Sequence, residues 1–155
     1  MTDIKTKHYI DSIYYDIELT ARVMKVLGAQ VFSKLQLSLT PEEHAALDTI
    51  YCNPDICQRD LAKLILKDRA NTGRILNSLE EKNLITRCVD VKNNRLVKRL
   101  AITVEGNRQL EDINKKIKDF LKNISCKFSP EETDRLQHSL REFRKSLKEF
   151  AEMNI

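Results

Sequence analysis

The largest local excess of positive side chains lies between residues 63 and 99. Ten Lys and Arg stand there against four Asp and Glu, a local excess of six in a 155-residue chain whose net charge is +4. Residues 1–62 carry six basic and nine acidic side chains, so the positive charge is concentrated in the middle of the chain. A local excess of this kind points to a polyanion more directly than the modest overall pI of about 8.9 does. Within it, helical spacing puts Arg69, Ala70, Asn71, Gly73, Arg74 and Asn77 on one face, away from Ile75, Leu76 and Leu79. Arg pairs bidentately with guanine O6 and N7, and Asn with adenine N6 and N7. Ala70 and Gly73 are small enough to let a backbone approach a groove floor. Arg69 and Arg74 should at least reach phosphates, and Asn71 and Asn77 are the candidate base readers. Thr72, on the buried side by the same spacing, completes the candidate set on this segment. Further on, Arg95 sits in a turn where it can enter a minor groove, with Lys92 and Lys98 placed for the phosphate backbone.

Other chemistries find little support. His8, His44 and His138 are far apart and form no close-spaced ligand motif, so no metal is expected. No Gly-rich phosphate loop, no paired catalytic carboxylates and no credible Ser/His/Asp set stands out, which argues against an enzyme and against a bound cofactor. The four cysteines, Cys52, Cys57, Cys88 and Cys126, come without an apolar export segment and read as reduced thiols of a cytoplasmic protein. A thiol that responds to oxidants is one alternative, with Arg87 beside Cys88 as its only local support. No apolar run approaches the roughly 20 residues that span a bilayer.

The elements that must position these residues follow from periodicity. With three Gly, three Pro and 32% charged residues, the composition suits long amphipathic helices. Ile10, Ile13, Tyr14, Ile17, Ala21, Met24, Leu27, Val31 and Leu35 predict one helix over 8–37. Thr40-Pro41-Glu42-Glu43 reads as a capped start of a second helix, which ends before Asn53-Pro54. A short helix from Gln58 to Leu66 follows, then Asp68 caps a helix over 69–82. Ile85–Val91 and Leu96–Thr103 read as strands, joined by a hairpin turn at Lys92-Asn93-Asn94-Arg95. A helix from Thr103 to Cys126 carries Leu110, Ile113, Ile117, Phe120 and Ile124. After the capping signature Ser129-Pro130-Glu131-Glu132, a last helix shows a narrow seam at Leu136, Leu140, Phe143, Leu147 and Phe150. The expected fold is mainly α with a small two- or three-stranded β wing. A winged helix-turn-helix DNA-binding region would cover 40–103 of a single 1–155 unit. Helical regions over 8–37 and 104–153 carry more apolar stripe than the small winged core can cover, so a second copy of the chain is expected to bury the rest.

Gln58-x-x-Leu61-Ala62-x-x-x-Ile65, then Asp68-Arg69-Ala70-Asn71-Thr72-Gly73-Arg74-Ile75-Leu76-Asn77-x-Leu79-Glu80-x-Lys82-x-Leu84-Ile85-x-Arg87, resembles the core of MarR-type transcriptional regulators. Asn94-Arg95 and Leu100-x-Ile102-Thr103-x-x-Gly106 continue the likeness. It implies a homodimeric, sequence-specific double-stranded DNA-binding regulator, most often a repressor, on a pseudo-palindromic operator. It also implies a small phenolic or aromatic effector, for which Tyr14, Tyr15, Ile17, Met24, Leu47 and Tyr51 are candidate lining residues. Departures stand out. Asn94-Arg95-Leu96 replaces the usual Asp-Arg-Arg, which should weaken salt bridging in the wing, and Leu66 stands in a turn where Gly is usual. A protein-interaction adaptor that keeps the wing without using DNA is the remaining alternative, and the basic excess argues against it.

Overall fold

The computed structural model describes residues 8–150, and the side chains of all of these except 123–125. Residues 1–7 and 151–155 of the expected span, including 151–153 of the last helical region, lie outside the described residues, as does the side chain of Ile124. The chain forms two compact units, Met1–Glu42 and Glu43–Ile155.

The first unit is built on α1 (Ile13–Lys34), preceded by a 3-10 turn at Tyr9–Asp11. The helix is shorter than the 8–37 expected. Ser12 is its N-cap: the Ser12 hydroxyl accepts from the Tyr15 amide at 3.3 Å and donates to the Tyr9 carbonyl at 2.6 Å. The turn is pinned by an edge-on contact between the Tyr9 and Tyr15 rings, 5.8 Å apart. At the other end Gln36 takes φ 50, and the Leu37 amide reaches back to the Phe32 carbonyl at 3.0 Å, which closes the helix. Besides the expected stripe, α1 exposes a second one at Leu19, Val23 and Val26. Their steps of four and three were overlooked because the first stripe alone satisfied the helical period.

The second unit contains most of α2 (Pro41–Cys52), then α3 (Gln58–Leu64), α4 (Arg69–Glu81), β1 (Ile85–Lys92), β2 (Arg95–Ile102), α5 (Val104–Ser125) and α6 (Pro130–Phe150). Its core is Ala46, Leu47 and Ile50 of α2, Leu61 of α3, Thr72, Ile75, Leu76 and Leu79 of α4, then Leu84, Ile85, Leu100, Leu110 and Ile113. Glu43 of α2 is also buried, and its carboxylate accepts from the Ser78 hydroxyl at 2.5 Å and the Lys82 ammonium at 2.7 Å. That pair of bonds locks α2 onto the far end of α4.

β1 and β2 pair antiparallel from Ile85↔Ile102 to Lys92↔Arg95. Asn93 and Asn94, at φ 52 and 59, supply the two left-handed residues that a two-residue hairpin turn requires. On its other edge β2 is met by Ile56–Cys57. The Leu100 amide donates to the Ile56 carbonyl at 2.9 Å and Cys57 bridges Arg99, so the third strand is a single bridge.

α3 ends with the Lys67 amide on the Ala62 carbonyl at 3.0 Å and the Leu66 amide on Lys63 at 3.4 Å. This is the helix stop that favours Gly at its left-handed residue, here Leu66 at φ 53 and 47% exposed. A branched side chain is strained there, by roughly 1–2 kcal/mol. Leu66→Gly is therefore expected to stabilise the chain by about 0.5–1 kcal/mol after the extra chain entropy of Gly is deducted. A higher urea midpoint at unchanged slope would show it; a lower midpoint would mean that the Leu66 side chain contributes more packing than its exposure allows.

α6 begins with the expected capping box. The Glu132 amide donates to Ser129 Oγ at 3.1 Å, and the Ser129 amide donates to the Glu132 carboxylate at 2.8 Å. None of the residues of α6 is buried, and Leu136, Leu140, Leu147 and Phe150 all stand exposed.

Candidate nucleic-acid interface

α4 presents the face that the spacing predicts. Asp68 caps it, accepting the Asn71 amide on Oδ1 at 2.8 Å, and the carboxylate sits below its ordinary pKa because of its hydrogen bonds to the backbone and side chain of Asn71. Arg69, Ala70, Arg74 and Asn77 are exposed, and Asn71 and Gly73 are half-buried. Thr72 is the exception among the candidates. It is 0% exposed and its hydroxyl donates to the Asp68 carbonyl at 2.8 Å, so it belongs to the core, beneath the groove that opens beside α4.

A groove of about 600 Å³ opens between α3, the start of α4 and β2. Arg59, Arg69, Arg95 and Lys98 line it, together with Gln58 and Leu96. Cations thus converge from three elements on one concavity, which suits a phosphate backbone passing between helix and hairpin. Arg59 and Gln58 are not among the binding residues expected from the sequence, where Gln58 stands only as a helix start and motif residue, because they precede the basic run and face it only once α3 folds against α4. The signal that would have found them is their place at the first turn of the buttressing helix. Lys92 is exposed at the tip, in register with Arg95.

Asn77 is exposed but engaged. Its Oδ1 accepts from Arg87 Nη2 at 2.7 Å, and Arg87 also donates through Nε to the Glu80 carboxylate at 3.0 Å. The Arg87 bond holds Glu80 below the usual carboxylate pKa. Arg87 therefore ties the root of β1 to α4 and fixes Asn77 from below, a contact across ten residues that helical spacing does not reveal.

The wing is braced, contrary to the expectation drawn from Asn94 and Leu96. Arg99 Nε donates to Asp90 Oδ2 at 2.5 Å, and Arg99 Nη1 reaches the Asp55 carbonyl at 3.1 Å. One guanidinium thus ties β2 both to β1 and to the loop before α3. The same bond lowers the Asp90 pKa and raises that of Arg99.

The residues named for an aromatic effector fall in both compact units. In the first, Tyr14 and Met24 are exposed and Tyr15 and Ile17 half-buried. In the second, Tyr51 is exposed, whereas Leu47 is 0% exposed and serves as core. All four cysteines are free thiols; Cys57 donates to the Asp60 carboxylate at 3.0 Å. His44 Nε2 lies 2.7 Å from Asn114 Oδ1, which links α2 to α5. Among the described residues no group of three or more His, Cys, Asp or Glu is placed to hold a metal, and no helix is long and apolar enough to cross a membrane.

The family model for the MarR family matches residues 39–97, the span from the entry of α2 into the hairpin. The chain is 26% identical over 138 residues to an uncharacterised HTH-type transcriptional regulator of Bacillus subtilis, YybA, covering 89% of this chain and 90% of that one. A second Bacillus subtilis regulator, YsmB, is 22% identical over 96% of this chain and 99% of its own. Among solved structures, the transcriptional regulator SlyA superposes with a TM-score of 0.74 at 28% identity, covering 91% of this chain and 97% of that one. The MepR–DNA complex of S. aureus shares the fold, with a TM-score of 0.70 at 22% identity over 90% and 99% of the two chains. The winged core is thus similar to the MarR family over residues 39–97, and nearly the whole chain superposes on the transcriptional regulator SlyA.

Proposed function

We propose that the chain is a sequence-specific DNA-binding repressor that acts as a homodimer on a pseudo-palindromic operator. The observation that carries this reading is the groove in which Arg59, Arg69, Arg95 and Lys98 meet beside the exposed face of α4. In it α4 lies in the major groove and α3 buttresses it, while the hairpin lays Arg95 into the neighbouring minor groove. Lys92 and Lys98 hold the phosphates. That MepR is solved bound to DNA in the same fold supports the arrangement. Dimerisation is supported by α6, which buries none of its residues, and by the exposed apolar stripes of α1. We expect the 40–103 region to read DNA and the 8–37 and 104–153 regions to pair, with release by a small aromatic ligand as the expected signal.

The test is binding to a duplex from the gene's own upstream region against random duplex, across a salt series. Affinity should fall steeply with salt, and the log–log slope should become shallower by about one unit in Arg95→Ala. Salt-insensitive binding, or equal affinity for both duplexes, would refute the reading; an unchanged slope would remove Arg95 from the interface.

A further inference from the structure

We propose that Arg74 reads a guanine in each half-site and that Asn71 reads no base of its own but holds Arg74 in the reading geometry. This deepens, and rests on, the placement of α4 in the major groove. Asp68, Asn71 and Arg74 follow one another at steps of three along the outer face of α4. They form a chain of hydrogen bonds: Asn71 Nδ2 donates to Asp68 Oδ2, and Arg74 Nη2 donates to Asn71 Oδ1. The side-chain oxygen of Asn71 is therefore already in use. A bidentate pair with adenine would require that oxygen to accept from N6 while Nδ2 donates to N7. Making that pair would release Arg74 and detach Asn71 from its anchor.

Arg74 is in the opposite position. Asn71 engages one terminal nitrogen of a planar group that carries five N–H donors, so N–H groups remain for O6 and N7 of guanine. The anchor is firm, because the Asp68 carboxylate is fixed by capping the helix and by its hydrogen bonds to Asn71, and the Arg74 charge helps to keep it ionised. The neighbours on this face, Ala70 and Gly73, have no side chains long enough to compete for the base edge. The relay converts a flexible arginine into a preset fork.

The probe is the half-site enriched by the wild-type protein from a random-duplex pool, with each base pair then substituted in turn. The wild-type profile should contain a guanine whose replacement lowers affinity about 10- to 100-fold. Arg74→Ala should flatten that position to within about twofold. Asn71→Ala should weaken discrimination at the same position about fivefold and at no other, and the double variant should match Arg74→Ala alone. Arg74→Lys, which keeps the charge and loses the fork, should also flatten the position while leaving the salt slope unchanged. Loss of an adenine preference in Asn71→Ala, with the guanine preference intact, would overturn the proposal. So would a uniform loss across all positions with a shallower salt slope in Arg74→Ala, which marks a phosphate contact. A wild-type protein that enriches no sequence at all overturns the DNA-binding reading itself, before any variant is compared.

Discussion

Gly106→Ala is expected to lower stability by about 3 kcal/mol or more, seen as a fall in melting temperature of about 10 °C. The reason is space and not backbone freedom, since no described glycine has a positive φ. A Cβ at position 106 would lie 2.1 Å from the Leu84 carbonyl oxygen and 2.8 Å from Ile102 Cγ1. The first of these is backbone at the entry to β1, so relief requires α5 to move away from the strand. Such a movement strains two further bonds. Thr103 Oγ1 accepts from the Gly106 amide at 2.9 Å, and the Thr103 amide donates to the Leu84 carbonyl at 3.0 Å. The buried side chains behind them, Leu84, Ile85 and Leu110, would lose contact as well. Thermal unfolding followed by circular dichroism decides the matter. A melting temperature within about 2 °C of the wild type would show that α5 can shift without loss, and the close approach would then have no structural importance.

The second large effect concerns pairing. Leu140→Glu together with Leu147→Glu is expected to convert the proposed dimer into a monomer at micromolar concentration. Both leucines lie on the exposed seam of α6, with Leu136 before them and Phe143 between them. Burying a carboxylate against apolar surface without a partner costs several kcal/mol. Two of them should raise the dimer dissociation constant by at least about 10³-fold, at 1.4 kcal/mol per factor of ten. Sedimentation velocity reads the mass directly. On the proposed DNA-binding arrangement, operator affinity should drop with it to the level of random duplex, because a single α4 would reach only one half-site. The hairpin and the α2–α4 core are remote in sequence from both positions, so the melting of a monomer that stays folded serves as the control. A stable dimer in the double variant would mean that other faces hold the two chains together.

Local signals in the sequence were read well. Asp68 and Ser129 cap the helices assigned to them, and Asn93-Asn94 makes the turn assigned to it, because each depends on atoms three or four residues apart. The core of α4 followed from period alone, and its outward face with it. What the sequence hid was every contact made across elements. Arg87 reaches Asn77, Arg99 reaches Asp55 44 residues away, and Arg59 joins Arg95 in one groove. Each depends on how two elements pack, which no periodicity encodes. Thr72 was placed on the buried side by spacing, and the structure adds the bond of its hydroxyl to the Asp68 carbonyl in the turn below it. Leu66 was recognised as a departure from the usual Gly, but only the φ of 53 shows that the chain tolerates the left-handed turn without one.

Thr103 has a mechanical consequence. Its hydroxyl donates to the Asn83 carbonyl at 2.7 Å while its amide donates to that of Leu84, the two residues that close α4. The end of α4 and the beginning of α5 are thereby knotted together without a swivel between them. Tilting α5 must carry α4 along like the two arms of a bent lever, so in the proposed dimer the inclination of α5 would set the separation of the two α4 helices.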